Sequence, residues 1–559
     1  MKAVKEGKVA CLNMYYAPED FEDEEKMIAD TTEKFVNFVK AAQKNAKDTH
    51  TVQQLFKEAG ATGLLGIEVG EEYNGLNLGK KVAGLVAEKM GHAGAFSVSF
   101  NIHAGVGTLP YVFWGTATQK GKYLPKLVSG EWIGAYALTE PNAGSDALNM
   151  KTTAEETSDG QHWILNGEKQ WITNAGVADC FVVFAKTIKG ITAFIVERTI
   201  AGVSIGPEEK KMGINGSSTA TLVLEDVKVN QESILGEIGK GHYIALNLLN
   251  MARLKLAFAN VGTAKLALQL STEYATERKQ FNKAIASFSM IQEKIANMVI
   301  GIFGAESAVY RTAGLLDDAL NAVDATRKNG EIISGFIADC AVNKVNSSEV
   351  LGYVVDEAVQ IHGGYGYMRE YEVENLYRDA RINRIFEGTN EINRLSIAKE
   401  LLKKYSEEPD VPTTVKELQN TQQYLIQSKR LLNEVMQMLQ TEIKTCMSDE
   451  QECHRVLADM YREAYIMQAS FYRTAKAIEK NGVANEKLKM AIVDVLCEEG
   501  FQRVKQNAVL LSACLLTDEA ARKKSIEKIE SVKVPLYSNL FLKKRFIAGK
   551  IAEQRKYTV

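Results

Sequence analysis

The spacing of hydrophobic residues divides the chain into stretches with different secondary-structure signatures. Between about residues 20 and 130, apolar residues such as Ile28 and Phe35 recur at helical spacing, and glycine-rich turns separate the segments. From about residue 134 to 235, short runs rich in β-branched and aromatic residues are bounded by Gly, Asn and Asp. Long helical patterns return from about residue 241 to 405. We therefore predict helices, then a compact and mostly antiparallel β domain, then helices again.

A further helical region follows a break in the pattern. The break, at residues 406–414, is acidic and contains two prolines, which is typical of a linker. Beyond it, four leucines stand seven residues apart and other aliphatic residues flank them: Leu418, Leu425, Leu432 and Leu439, with Val415, Val435 and Ile443. This leucine seam predicts an amphipathic helix that packs on its own chain, because an exposed stripe of that length would aggregate.

These patterns predict an α+β multidomain fold. The predicted units are an N-terminal helical domain (1–133), a central antiparallel β domain (134–240), a C-terminal helical domain (241–405), the linker (406–414) and an extra helical domain (415–559).

Composition and charge narrow the function classes. The chain has 559 residues, 46% hydrophobic and 25% charged, with a net charge of −3. This near-neutral balance gives no reason to expect nucleic-acid binding, and it does not support a peripheral membrane contact. No apolar run approaches the roughly 20 residues of a membrane span, and no apolar core follows the charged first residues, as it would in a secretory signal. We expect a protein of the bacterial cytoplasm or, in a eukaryote, of the mitochondrial matrix after processing.

The cysteines and histidines do not form a metal-binding pattern. The seven cysteines are scattered, and Cys453-His454 has no second close pair of ligands. Scattered thiols suit a reducing compartment. The chain also has no G-x-G-x-x-G after a predicted strand, no P-loop lysine motif and no G-x-S-x-G elbow. The sequence therefore does not support a metal site, a Rossmann fold, a kinase-type site or a serine hydrolase.

The segment around Glu387 carries the clearest candidate chemistry. Ile385 and Phe386 precede this carboxylate and Gly388 follows it. A carboxylate in apolar surroundings loses hydration, so its pKa should rise toward the working pH, which suits a base that removes a proton next to a carbonyl. The glycine lets a substrate carbonyl approach the backbone, where an N–H can donate to a developing enolate oxygen. The same residues could also form a helix-ending turn with a solvated glutamate.

Four other segments could contact a cofactor, although each also has an ordinary structural explanation. Residues 136–146 could cradle a pyrophosphate with backbone amides and hydroxyls, or form a plain loop. Residues 171–175 place a tryptophan beside a hydroxyl, which could back a planar cofactor or fill a core. Arg278, with Phe281 after it, could bind an anion or end a solvated helix. The glycines of residues 360–366 permit close approach to a ligand or form a flexible turn.

Together, and in this order, the five segments resemble the acyl-CoA dehydrogenase family. The resemblance covers about residues 20–405 and includes the domain order. Residues 384–390 and 208–214 are most similar to the very-long-chain branch, which also has an extra helical domain after its catalytic part. The resemblance implies that the C-terminal domain is a four-helix bundle and that the cofactor is FAD.

The resemblance also implies a role for each matching residue. Glu387 is the expected base, Gly388 is expected to contact the thioester, and Asn250 and Arg253 are expected near the CoA moiety. Ser145 is expected near both flavin and substrate. The positions expected to bind FAD are Tyr136, Leu138, Thr139, Ser145, Trp171, Ile172, Thr173, Arg278, Gln280, Phe281, Gln360, Gly363, Gly364, Thr389 and Glu391.

The implied reaction removes two hydrogens from a saturated fatty acyl-CoA in fatty acid β-oxidation. Glu387 takes the α-proton and a hydride leaves the β-carbon for flavin N5, which gives the trans-2-enoyl-CoA. Hydrogen bonds to the thioester oxygen, from the Glu387 backbone N–H and a flavin ribityl hydroxyl, would stabilise the enolate-like state by about a few kcal/mol. The expected electron acceptor is an electron-transferring flavoprotein. The expected assembly is a homodimer in which residues 360–364 reach the neighbouring subunit's FAD and the extra domain covers the face where a second dimer would dock.

Two other functions stay open on the sequence: an acyl-CoA oxidase that uses O₂, and a non-enzymatic assembly factor. Some branches of the family carry the base on an earlier helix, at the position of Ala252, where alanine cannot serve. Glu387 is therefore the only matched base. Residues 97–103 match the helix that closes the acyl pocket, and the bulky Phe100 and Ile102 there mean that a very long pocket does not follow from the resemblance.

Overall fold

The computed structural model describes residues 16–45, 49–322, 329–405, 413, 415–442, 450–534 and 538–559. Helices come first, then a β domain, then two further sets of helices, which confirms the predicted fold class. The predicted linker lies almost entirely outside the described residues, and so does Ile443 of the leucine seam. The predicted domain boundaries stay predictions.

The N-terminal region is helical and packs around aromatic side chains. Its helices are α1 Asp23–Asn45, α2 Thr49–Ala61, α3 Lys80–Met90, α4 Ala95–Ile102, α5 Leu109–Trp114 and α6 Ala117–Val128. Phe35 of α1, Phe56 of α2 and Phe96 of α4 are buried together in one apolar cluster. Thr116 caps α6, because its hydroxyl accepts from the Gln119 N–H while the Gln119 side chain accepts from the Thr116 N–H.

The central region is a twisted, mainly antiparallel sheet. Its strands are β1 Gly134–Ala137, β2 Thr153–Glu156, β3 His162–Thr173, β4 Cys180–Thr187, β5 Gly190–Glu197, β6 Val203–Ile205, β7 Thr219–Asn230 and β8 Ile234–Leu235. The order is β6-β7-β3-β2-β4-β5-β8, with β1 parallel to β4. Trp163 and Phe194 pack inside one face of the sheet. The β-rich runs of the sequence, at residues 163–167, 180–185, 192–196 and 220–224, correspond to β3, β4, β5 and β7.

The third region is built from long helices. They are α7 Gly241–Glu277, α8 Ser289–Asn321, α10 Ile337–His362 and α12 Asn390–Lys404, with the shorter α9 Asn329–Ser334 and α11 Glu372–Ala380 between them. A small hairpin, β9 Lys279–Gln280 and β10 Lys283–Ala284, follows α7. The helix α7 is buried along most of its length, because α10, α3 and α8 pack around it. In the part of the chain that is described, no helix is long and apolar enough to cross a bilayer.

The extra helical region packs directly on the bundle. Its helices are α13 Gln419–Glu442, α14 Gln451–Asn481, α15 Lys487–Leu515, α16 Glu519–Glu530 and α17 Leu540–Gln554. All four leucines of the seam are at most 2% exposed, Leu418 in the turn just before α13 and the other three on α13. The prediction that the seam packs on its own chain is therefore confirmed. The helix α14 packs on α12 and α8, and α17 packs on α8.

A buried charge cluster joins the two helical regions. The Glu306 carboxylate of α8 accepts from Lys265, from Arg473 at 2.7 Å and from the Tyr557 hydroxyl at 2.6 Å. Arg473 also bonds both carboxylate oxygens of Glu19. Because a buried charge is costly unless it is paired, these residues fix the extra region against the bundle and the N-terminal segment.

Candidate active site

The loop that carries Glu387 connects two helices and has an unusual backbone. A short 3-10 turn, Arg381–Arg384, follows α11, and α12 begins at Asn390, where the Thr389 hydroxyl accepts from the Ile392 N–H. Glu387 has φ +56° and Gly388 has φ +81°. Two successive left-handed residues are uncommon, and one that is not glycine is strained. A Cβ at Gly388 would lie 3.3 Å from both Arg253 Nη2 and Asn393 Nδ2, so this position also lacks space for a side chain.

Three buried side chains hold the carbonyl groups of this loop. Arg253 Nε donates to Glu387 O at 3.0 Å, and its Nη1 donates to Asn250 Oδ1 at 3.0 Å. Lys344 Nζ donates to Gly388 O at 2.8 Å. Asn393 Nδ2 donates to Gly388 O at 2.8 Å and to Thr389 O at 3.0 Å. The peptide groups beside Glu387 are therefore fixed before a substrate arrives, as a preorganised site requires.

Burial sets the acidity of the groups at this loop. The loss of hydration raises the pKa of Glu387, while the nearby Arg253 and Lys344 lower it in part. Burial also raises the pKa of Tyr136 far above its usual value, and the charge of Glu387 adds to this effect. A carboxylate with a raised pKa is suited to act as a base near neutral pH.

Glu387 lines a pocket with mostly apolar walls. Ala252 and Phe386 lie beside it, and the pocket continues along α7 to Ala259 and Thr263. The other two charged groups of the lining have partners: Lys255 donates to Glu68 at 2.7 Å, and Asp379 accepts from Asn375 Nδ2 at 2.8 Å. A mostly apolar pocket with one buried carboxylate in its lining is suited to a hydrocarbon chain whose reacting end lies beside that carboxylate.

Of the two bulky residues expected to narrow this pocket from its closing helix, only one lines it. Ile102 lines the pocket together with Ser97 and Asn101. Phe100 does not: it is 2% exposed and packs against Phe96 in the neighbouring apolar cluster. The expectation that Phe100 narrows the pocket is therefore wrong, because this side chain lies on the opposite face of α4.

The two segments expected at the flavin ring are adjacent in space. The Gln170 N–H donates to Thr139 O at 2.9 Å, which joins the loop after β1 to β3. Lys169 is fully buried, and its Nζ donates to Leu138 O at 3.2 Å and to Glu140 at 2.7 Å. Burial alone would raise the pKa of Glu140, but the hydrogen bonds from Lys151, Lys169 and Thr152 lower it to about 2. The Lys169–Glu140 pair thus anchors the loop.

The remaining predicted residues of these segments differ in exposure. Ile172 is buried, Thr173 and Tyr136 are half-buried, and Ser145 is exposed. Trp171 is 58% exposed and has φ +58°, although most tryptophans are largely buried. A strained backbone with an exposed ring is consistent with a planar ligand lying against it.

A second hollow brings together residues that are distant in sequence. Arg278 and Gln280, after α7, line it with Gly363 and Gly364, after α10. Gly363 has φ +60°, and an added Cβ there would meet nothing within 4 Å, so the backbone is open to a ligand. Phe281 and Gln360 do not line this hollow: both are exposed, and the Phe281 ring packs edge-on to Phe288.

These features fit the nucleotide part of FAD. The guanidinium of Arg278 supplies a fork for a pyrophosphate, and the open glycine backbone permits close approach. The hollow shares no lining residue with the Glu387 pocket. Glu391 is exposed in the first turn of α12. Among the described residues there is no group of three His, Cys, Asp or Glu side chains that could hold a metal ion.

Sequence reasoning missed two of the residues that hold the site. Lys344 is fully buried on α10, and Asn393 is fully buried on α12. A lysine flanked by Val342 and Val345 on a predicted buried helix is an available signal, because lysine is almost never fully buried without a partner. Asn393 gave no such signal, since one asparagine near a helix start is ordinary.

Comparison with known proteins agrees with this architecture. Three family models match in order: the acyl-CoA dehydrogenase N-terminal domain at residues 22–131, the middle domain at 135–227 and the C-terminal domain at 239–402. The chain is 43% identical over 577 residues to a probable acyl-CoA dehydrogenase of Bacillus subtilis, covering 97% of this chain and 96% of that one.

Two further relatives are relevant to the cofactor and to the branch of the family that this chain resembles. A crystal structure of an acyl-CoA dehydrogenase complexed with FAD from Bacillus anthracis is 44% identical, with a TM-score of 0.93 and 98% of each chain covered. The human mitochondrial very long-chain specific acyl-CoA dehydrogenase is 40% identical over 359 residues, covering 62% of this chain and 52% of that one. The chain therefore belongs to the acyl-CoA dehydrogenase family and is an FAD-dependent oxidoreductase.

Proposed function

We propose that the protein dehydrogenates a saturated fatty acyl-CoA to the trans-2-enoyl-CoA in fatty acid β-oxidation. The observation that carries this proposal is a carboxylate of raised pKa in the lining of a mostly apolar pocket, on a loop whose carbonyls are already held. Glu387 would take the α-proton, and the backbone N–H groups of its loop are available to the thioester oxygen. Bound FAD supplies the acceptor for the hydride.

The residues proposed to hold FAD form the ring site and the nucleotide hollow described above. Leu138, Thr139 and Trp171 would face the flavin ring, and Arg278 with Gly363 would bind the nucleotide end. Asn250 and Arg253 were expected near CoA, but their buried polar groups bond to each other and to the Glu387 loop. Their contribution to CoA binding would therefore act through that loop.

The nucleotide hollow gives a prediction about flavin retention. Arg278→Ala removes the charge-assisted fork, and Gly363→Val places a branched side chain where φ is +60° and the backbone is open. Both variants should purify with depleted flavin, measured as the ratio of flavin to protein absorbance, and both should regain part of it when FAD is added.

Matched controls separate flavin binding from general damage. Gly482→Val changes a glycine with φ +81° and no neighbour within 4 Å in the extra region, and Arg545→Ala removes an exposed arginine there. Both controls should keep full flavin. If Arg278→Ala and Gly363→Val also keep full occupancy, the nucleotide end has been assigned to the wrong hollow.

The pocket geometry supports a long acyl chain. Ala252, Leu256, Ala259 and Thr263 line one face of α7, at the spacing that places helical residues on the same side. The eleven steps from Ala252 to Thr263, at a rise of about 1.5 Å each, correspond to about 16 Å of wall. An extended hydrocarbon chain advances about 1.3 Å per C–C bond, so this wall is long enough for roughly twelve methylene groups.

A blocking substitution tests the pocket length. Ala259→Phe places a ring about 10 Å along the wall from Ala252, beyond the reach of a four-carbon acyl group. We expect kcat/KM for a sixteen-carbon acyl-CoA to fall by roughly tenfold or more, since overpacking typically costs about 1–3 kcal/mol. The value for butyryl-CoA, an internal control, should change little. An equal fall for both substrates would contradict the assigned direction of the pocket.

We further propose a homodimer that passes electrons to an electron-transferring flavoprotein. The exposed nucleotide hollow supports the dimer, because its position apart from the Glu387 pocket suits contact with a second subunit's FAD. An acyl-CoA oxidase remains the alternative. Hydrogen peroxide released in air, measured against reduction of an artificial dye without oxygen, distinguishes the two: stoichiometric peroxide would favour the oxidase.

A further inference from the structure

Lys344 is a buried cation without an ion-pair partner among the described residues. It lies on α10 with 0% of its surface exposed. Its Nζ donates to Gly388 O and to Asn390 Oδ1, each at 2.8 Å, and both acceptors are uncharged. Burial of a lysine without a carboxylate partner is unfavourable, and replacing it by an apolar residue of similar size would remove that cost. Its presence beside the base therefore calls for an explanation other than stability.

The charged groups around Lys344 leave Glu387 as its main counter-charge. The charged groups that act on it most strongly are Glu387, Arg253, Glu391 and Glu349. Glu349 is already paired with Arg394 at 2.7 Å and with Arg462 at 2.6 Å. Glu391 is exposed to water, which weakens its field.

The environment of Glu387 contains few other charges. Arg253 approaches from α7, Lys344 from α10 and the neutral Tyr136 from β1. Lys255 and Asp379 line the same pocket; Lys255 forms an ion pair with Glu68, and Asp379 accepts a hydrogen bond from Asn375. Arg253 and Lys344 are thus the cations that act on this carboxyl.

We propose that Lys344 is a positioning residue for the reaction, whose ammonium fixes the Gly388 carbonyl and keeps the Glu387 carboxyl ionised. The inference rests on the proposed role of Glu387 as the base. Burial lowers the pKa of Lys344 to about 7, so the ammonium is present at neutral and lower pH, where a desolvated carboxyl would otherwise take up a proton. Without the cation, Glu387 should ionise only at higher pH.

Three substitutions separate the charge of Lys344 from its hydrogen bond. Lys344→Arg keeps the charge, Lys344→Gln keeps a donor for Gly388 O without the charge, and Lys344→Met keeps neither. The protonation of Glu387 is followed in the flavin-loaded protein by infrared difference titration, with Glu387→Gln as the blank. The midpoint should move up by about one pH unit in Lys344→Gln and Lys344→Met, and by much less in Lys344→Arg, because a nearby opposite charge shifts a pKa by roughly 1–3 units.

The acid limb of the kcat/KM profile should move in parallel with this midpoint. Lys489→Met is the control, because it removes another buried lysine, which pairs with Glu486 and Glu19 away from Glu387. It should leave the midpoint unchanged. A Lys344→Gln protein that loses activity with the Glu387 midpoint unmoved would overturn the proposal and leave only a structural role.

The wild-type titration keeps the proposal testable if the variants fail to fold. A wild-type Glu387 midpoint above that of the Lys344 ammonium, titrated in the same protein, would contradict it, because the carboxyl would then be protonated wherever the ammonium exists. The infrared readout does not depend on turnover. A shifted midpoint in a protein that does not dehydrogenate acyl-CoA would therefore reject the proposed reaction and leave the Lys344–Glu387 coupling intact.

Discussion

Glu387→Gln is expected to lower the rate of dehydrogenation by a factor of about 10² or more, because general-base catalysis typically supplies roughly 10²–10⁴. The glutamine amide has nearly the same shape but cannot accept the α-proton. The loop should survive the change, since Arg253, Lys344 and Asn393 hold its backbone carbonyls rather than the carboxylate. Flavin content should stay normal, because no flavin contact is assigned to this side chain.

Single-turnover flavin bleaching with a saturated acyl-CoA measures this effect directly. Glu24→Gln, an isosteric change at an exposed position of α1, is the matched control and should bleach at the wild-type rate. Near-normal bleaching in Glu387→Gln would remove this residue from the role of base, while the family assignment would stand.

Truncation after Tyr405 is expected to make the protein associate into tetramers or aggregates. The cut removes α14, which covers α12 and α8, and exposes apolar surface that Ile466 and Tyr465 now bury. It also leaves Glu306 without Arg473 and Tyr557, so a buried carboxylate loses two of its partners. Contiguous apolar patches of this kind drive association.

Light scattering of both forms at equal concentration tests this expectation. The full-length protein should scatter as a homodimer of about twice 61.8 kDa. A full-length tetramer would show that the extra region does not block a second dimer. A truncated form that remains a dimer without aggregating would show that the bundle does not need the extra region to cover its surface.

The sequence predicted those features that depend on local spacing. The leucine seam and the β-rich runs were predicted from the spacing of apolar residues, which differs between helices and strands. This spacing can be analysed without knowledge of the fold. The Glu387 segment was predicted because the apolar residues and glycine that define its chemistry are its chain neighbours.

Contacts between distant segments could not be predicted in this way. The bond from Lys344 to Gly388 joins residues 44 apart, and the hollow shared by Arg278 and Gly363 forms only when α7 and α10 pack. Phe100 was predicted to line the pocket because its segment was matched correctly to the helix beside the pocket. The face of that helix on which Phe100 lies was not predicted correctly. On a short helix with apolar residues on several sides, the sequence does not determine which face meets the core.

The charge cluster at Glu306 also has a consequence for how the chain is made. Arg473 follows Glu306 by 167 residues. At about 5–20 residues per second, Glu306 would wait roughly ten to thirty seconds on the ribosome before Arg473 is synthesised. During that interval Lys265 is the cation of the cluster available to Glu306, and the surface that α14 later covers stays open. The bundle can begin to fold early, but it reaches its final packing only after Tyr557 has left the exit tunnel. The nascent chain is therefore expected to need chaperone protection late in its synthesis.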